Sequence, residues 1–129
     1  MTLLKPLFIA GALLLTFAPV VGLADEILGQ GQFSGKSSHE TRGGVTLEKG
    51  ANGFSVILQD DFFHDGAPDP KVVIGRTDNG ERVQLSHLKA NSGRQVYPIP
   101  ADLDVSAYDE VWIWCKRYAV PLGHAPLGK

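Results

Sequence analysis

Cys115 is the single cysteine of this 129-residue chain, and it closes Val-Trp-Ile-Trp-Cys (111–115), the most aromatic run in it. A lone thiol forms no internal disulfide. In an oxidising compartment it must be buried, bound to something or reactive. A reactive role needs a thiolate or a coordinated sulfur. Lys116 and Arg117 follow directly, and cationic neighbours lower a thiol pKa. On an extended strand only Arg117 shares the face of Cys115. A structural role stands beside this one, because free cysteine packs as a small hydrophobe and is among the most buried residue types.

The other side chains with metal or acid–base chemistry are His39, His64, His87 and His124. A blue-copper site takes two histidines, one cysteine and usually a weak axial methionine. His124 lies nine residues after Cys115, longer than the usual tight Cys–His loop, and Met1 is the only methionine. Copper is therefore not expected. A haem held by Cys115 or by a histidine such as His124 stays open. Taken singly, each histidine reads as a surface or loop residue, and no metal site is expected. Asp60, Asp61, Asp65 and Asp69 cluster around Phe62-Phe63-His64. Their spacing does not match an EF-hand, since Ala67-Pro68 follows Gly66 where ligands are required. Solvated turn residues, with Asx-turns shaping the loop, are the expectation.

Several chemistries are absent. The chain has no Cys-x-x-Cys, no Cys-x-x-Cys-His, no His-Glu-x-x-His and no Gly-x-Ser-x-Gly. Gly35-Lys36-Ser37 resembles the end of a phosphate-binding loop, but the required upstream glycine is Gln30. Lysine and arginine are scattered without a basic stripe, so no nucleic-acid partner is expected.

Residues 1–24 read as a secretory signal peptide. Lys5 supplies the positive end, Pro6 to Val21 is uncharged and mostly apolar, and Gly22-Leu23-Ala24 suits cleavage before Asp25. An uncleaved anchor is the alternative, with a stretch near the lower limit for spanning. Cleavage would leave a 105-residue chain with eleven basic and fourteen acidic residues. That is enough for one domain, residues 25–129, with one core. No later segment is long and apolar enough to cross a bilayer, so stable membrane insertion is not expected once the leader is gone. The expected location is periplasmic or secreted.

The elements that must position Cys115 read as short strands. Val45/Leu47, Phe54/Val56/Leu58, Val72/Ile74, Val83/Leu85, Tyr97/Ile99 and Val111/Ile113/Cys115 alternate with period two. No helical period is sustained over three turns. Asn52-Gly53 and Asn79-Gly80 predict two hairpins with two-residue type I′ turns, which need positive φ at both central positions. Pro68 and Pro70 make 66–70 a loop, and Pro98 and Pro100 place 96–100 at an edge or strand end. A single helical turn is expected near 105–109, capped by Asp104. The run 111–115 is apolar on both faces, which predicts a central strand covered on both sides, with its tryptophans as core. The whole reads as an all-β fold, an antiparallel sandwich or small barrel of about seven or eight strands.

Motifs spread along the chain resemble the DM-thirteen domain. They run from Gly31-x-Phe33 through His39, Gly43-Gly44-Val45, Asp61-Phe62 and Gly66-Ala67-Pro68-Asp69-Pro70. Gly93-x-Gln95-x-Tyr97-x-Ile99-Pro100 follows, then Tyr108-x-x-Val111-x-Ile113-Trp114-Cys115 and Val120-Pro121-Leu122-Gly123-His124-Ala125-Pro126-Leu127. Coverage is roughly 29–127. The family is the electron-transfer domain that accompanies DOMON domains in animal proteins and occurs alone in exported bacterial ones. The resemblance implies an all-β domain with its hallmark cysteine at Cys115, acting as a naked thiol or as ligand to a prosthetic group such as haem. It implies an exported redox or electron-transfer module with a redox partner protein, more a module than a stand-alone enzyme. The alternative is a non-enzymatic module that presents loops 60–70 and 87–95 to a protein or glycan, with Cys115 as core.

Overall fold

The computed structural model describes Gly11 and residues 26–129. The expected signal peptide, apart from Gly11, and its expected cleavage position lie outside the described residues. Eleven strands form: β1 (Glu26–Gln32), β2 (Ser34–Gly35), β3 (Thr41–Arg42), β4 (Gly44–Gly50), β5 (Gly53–Leu58), β6 (Phe63–His64), β7 (Pro70–Gly75), β8 (Arg82–His87), β9 (Gln95–Pro98), β10 (Glu110–Cys115) and β11 (Val120–Pro126). All named pairings are antiparallel. Eight strands have four residues or more, and β2, β3 and β6 have two each. No helix among the described residues is long and apolar enough to cross a membrane.

A four-stranded sheet, β1-β4-β5-β9, packs on a five-stranded one, β2-β11-β10-β7-β8. The alternating residues read from the sequence supply the core between them. Val45 and Leu47 come from β4, Val56 and Leu58 from β5, Val72 and Ile74 from β7, and Val111, Ile113 and Cys115 from β10. A reciprocal backbone bridge between Gln30 and Gly128 ties the outer edge of β1 to the chain end after β11. That pairing covers part of an edge that would otherwise template aggregation. The third sheet, β3 with β6, rests on β11 through Thr41, whose hydroxyl donates to the Leu122 carbonyl at 2.9 Å. β9 is an edge strand ending at Pro98, as a missing N–H requires. The helical turn is a short 3-10 segment, Val105–Ala107, with the Asp104 side chain accepting from the Ser106 N–H.

Both predicted hairpins form, but not with the expected turn type. The β4–β5 connection turns on Ala51-Asn52, and Gly53 carries the positive φ of 119° one position later. The β7–β8 connection reverses through residues 77–80, where Gly80 takes φ of 72° and donates to the Arg76 carbonyl at 2.9 Å. Asn52 and Asn79 both avoid positive φ. Glycine enters the left-handed region without steric cost, so a single glycine after the turn supplies the reversal.

The same connection has an acid-sensitive tie. Asp109 accepts hydrogen bonds from the Thr77 hydroxyl and, at 2.9 Å, from the Thr77 N–H. The hydroxyl bond is the main reason its carboxyl sits below the ordinary 3.8. A carboxylate depressed in the fold contributes stability above the unfolded value, and that stability is lost as pH falls through the folded one. Thr77→Val should therefore be less stable than the parent at neutral pH, with the gap narrowing below 3.8. Urea unfolding at about pH 7 and about pH 3 checks this, and an unchanged gap would contradict it.

Candidate functional site

Cys115 ends β10 between Pro70 of β7 and Val120 of β11. Period two points Val111, Ile113 and Cys115 into the sandwich, where Cys115 is 1% exposed. The turn at residues 116–119 follows at once and all four of its residues are exposed; the last, Ala119, holds a positive φ of 50°. A β-carbon makes that conformation costly, by about 1–2 kcal/mol. The sulfur thus lies sealed, at a strand end beside a strained turn.

The other face of β10 departs from the sequence expectation. Among the described residues no second layer covers it, and Trp112 and Trp114 are half-buried on the outside of the five-stranded sheet. The two indoles meet edge to face with centroids 6.1 Å apart. The Arg82 guanidinium of β8 covers both, at 4.9 and 4.8 Å from the ring centroids. A cation over a π-face shields an aromatic from water without a further layer, and the sequence pattern cannot register that.

His124 belongs to this outer face. It stands opposite Trp112 in the ladder, with ring centroids 4.0 Å apart. Its Nε2 lies 3.1 Å from Glu110 Oε1, and Glu110 Oε2 accepts from the Trp112 indole N–H at 2.7 Å. Cys115 and His124 therefore point to opposite sides of the sheet, and the structure does not bring them together as a ligand pair.

A different histidine is buried. His64 was expected at the surface, yet it is 1% exposed, because β6 pairs with β3 and its ring packs inward beside Thr41. The hydrogen-bond network assigns its tautomer. Thr41 gives its one hydroxyl proton to the Leu122 carbonyl, so it accepts from His64 Nδ1–H, at 2.9 Å. The lone pair is then on Nε2, which is buried with no hydrogen-bond partner. An unsatisfied buried acceptor costs about 1–3 kcal/mol. Burial also pulls the His64 pKa below 6.5, so the ring is held neutral.

His39 and Asp65 lie beside it. His39 Nδ1 is 2.8 Å from Asp65 Oδ1, and the other carboxylate oxygen accepts the Glu40 N–H at 2.9 Å. Those two contacts, the backbone one first, hold the Asp65 carboxyl below 3.8. The His39 and His64 rings stack with centroids 5.7 Å apart. Among the described residues, His39, His64 and Asp65 are the one group of three or more potential ligands whose donor atoms gather within 4.8 Å, and Cys115 is not part of it. Sequence reasoning missed this group. The neighbouring residues His64 and Asp65 were legible, but His39 arrives through the β3–β6 pairing, which two-residue strands do not announce.

The family model described as Electron transfer DM13 matches residues 32–127. The chain belongs to that family. No curated protein and no solved structure matches it. Membership makes this DM13 domain an electron-transfer-related module. A haem would need an apolar slot next to a ligand. Cys115 is instead packed in the same buried cluster as Val111, Ile113 and Leu122. An apolar cleft of about 380 Å³ does exist, lined by Leu28, Leu47, Phe54, Leu103, Val105 and Lys129 among others, with no cysteine or histidine in its wall. The packing around Cys115 does not fit a haem.

Proposed function

We propose that this DM13 domain is an exported electron-transfer module whose redox centre is the Cys115 thiol itself. The match to the Electron transfer DM13 family over residues 32–127, which takes in Cys115, carries the reading. Two features support the choice of the bare thiol. The sulfur has no slot for a haem beside it, and it ends its strand next to a strained turn that can open locally. With no second cysteine in the chain, an oxidised state is held as a sulfenic acid or as a mixed disulfide with an external thiol. The partner is accordingly a redox protein that offers a thiol or disulfide at this strand end. Export is supported by the leader-like residues 1–24.

The sealing of Cys115 favours a second reading, in which the cysteine is core and the domain binds a protein or glycan. Loops 60–70 and 87–95 adjoin each other, since the His64 N–H donates to the Asn91 carbonyl at 2.7 Å and the Gly93 N–H to the Phe62 carbonyl at 3.0 Å. They form one continuous surface. Thiol labelling under native conditions separates the two readings. A redox centre should be modified through local opening, faster than the whole domain unfolds. Modification no faster than global unfolding would leave Cys115 a packing residue.

A further inference from the structure

We propose that His39, His64 and Asp65 form a binding site for a borderline divalent transition-metal ion, of which Zn²⁺ is the representative. The donor set is two imidazoles and one carboxylate. Hard cations such as Ca²⁺ and Mg²⁺ take oxygen ligands, whereas imidazole suits zinc, copper and nickel. Three protein ligands with an open fourth position describe a zinc site accessible to a water or to a further ligand. Exposure agrees with that geometry: His64 is sealed, while the His39 and Asp65 side chains are 30% and 35% exposed.

The distances suit the ion. Zinc bonds of about 2.0–2.2 Å in a tetrahedron place ligand atoms roughly 3.3 Å apart. Here His39 Nδ1 lies 2.8 Å from Asp65 Oδ1, and the three residues offer donor atoms within 4.8 Å of one another.

The outer contacts are those a metal site uses. Ligating histidines generally donate the other ring N–H to a fixed acceptor, and ligating carboxylates are hydrogen-bonded in turn. His64 donates from Nδ1 to Thr41, itself anchored on Leu122. Asp65 is oriented by the Glu40 N–H. The buried, unpartnered Nε2 lone pair of His64 has no other account in the fold. His39 is delivered by two successive residues in the left-handed region, Ser37 (φ 54°) and Ser38 (φ 62°). Such strain persists where the surroundings enforce a geometry. The site is independent of Cys115 and does not rest on the redox reading.

Calorimetric titration of chelator-treated, purified protein with Zn²⁺ tests it. The expected result is saturable binding of one ion at micromolar or lower concentration, weakened at least tenfold by His39→Ala and by Asp65→Asn. Both residues are partly exposed, so the variants should stay folded, which circular dichroism verifies. His87→Ala, which alters an exposed histidine elsewhere, should bind as the parent does. No saturable binding below millimolar zinc would overturn the proposal. So would unchanged affinity in the first two variants, or a loss confined to His87→Ala.

Discussion

Alanine at position 43 should lower the melting temperature by more than about 15 °C. Gly43 joins β3 to β4 with φ of 101°, a conformation that L side chains rarely adopt. A β-carbon there would stand 2.6 Å from both the Asp61 carbonyl oxygen and the Phe62 Cα. Both obstacles are backbone, so no rotamer change relieves the clash. The same residue accepts the Phe33 N–H at 2.9 Å, and Gly44 donates to Asp61 Oδ1 at 2.9 Å. Displacing the segment therefore breaks the contact between the β3–β4 corner and residues 61–62. Strain and displacement together should cost on the order of 3–5 kcal/mol. Gly44→Ala is the control, because its nearest obstacle is the Gln59 side chain at 3.2 Å. A flexible side chain yields, so that variant should lose far less. Thermal unfolding of the two variants measures the contrast, and equal losses would refute the steric argument.

Phe62→Ala should be the most costly truncation around the candidate metal site, by about 3–5 kcal/mol. Phe62 is 2% exposed, and its ring meets Phe33 edge to face with centroids 5.5 Å apart. Its backbone also holds neighbouring chain segments, donating to the Gln59 carbonyl and accepting from the Gly93 N–H, both at 3.0 Å. Truncation leaves a cavity among groups too constrained to collapse. Phe62→Leu keeps most of the volume and should cost under about 1.5 kcal/mol. Chemical denaturation gives both values. A Phe62→Ala loss no larger than that of Phe62→Leu would show that this corner relaxes freely.

Where side-chain period and turn chemistry act locally, the fold was legible. Alternation located the inward residues of β4, β5, β7 and β10, and Pro98 marked an edge; Pro68 lies in a loop as expected, but Pro70 opens β7 opposite Cys115, since the first residue of a strand tolerates a missing N–H. Asp104 marked its helical turn. The misses share a cause, which is dependence on distant partners. β1 carries two glycines and no strong alternation, so its strand character comes from pairing with β4. The outer faces of Trp112 and Trp114 are covered by Arg82, thirty residues or more away in sequence. His64 is buried where Thr41 bonds both it and the Leu122 carbonyl, so that three elements converge. The hairpins were legible, but their turn type was not, since one glycine did the work expected of an Asn-Gly pair. Cys115 was singled out by its type, and the structure adds that it is sealed.

That sealing makes the redox state of Cys115 the direct test of the account. Wild-type protein and Cys115→Ser, both purified in the native state, would be equilibrated in glutathione buffers from roughly −300 to −120 mV. Intact mass would then report the fraction carrying a thiol adduct. The account predicts a single midpoint in that range for the wild type, no transition for Cys115→Ser, and no haem absorbance in either. A thiol that stays free and unmodified across the whole range, in protein that remains folded, would contradict it and leave Cys115 as part of the core.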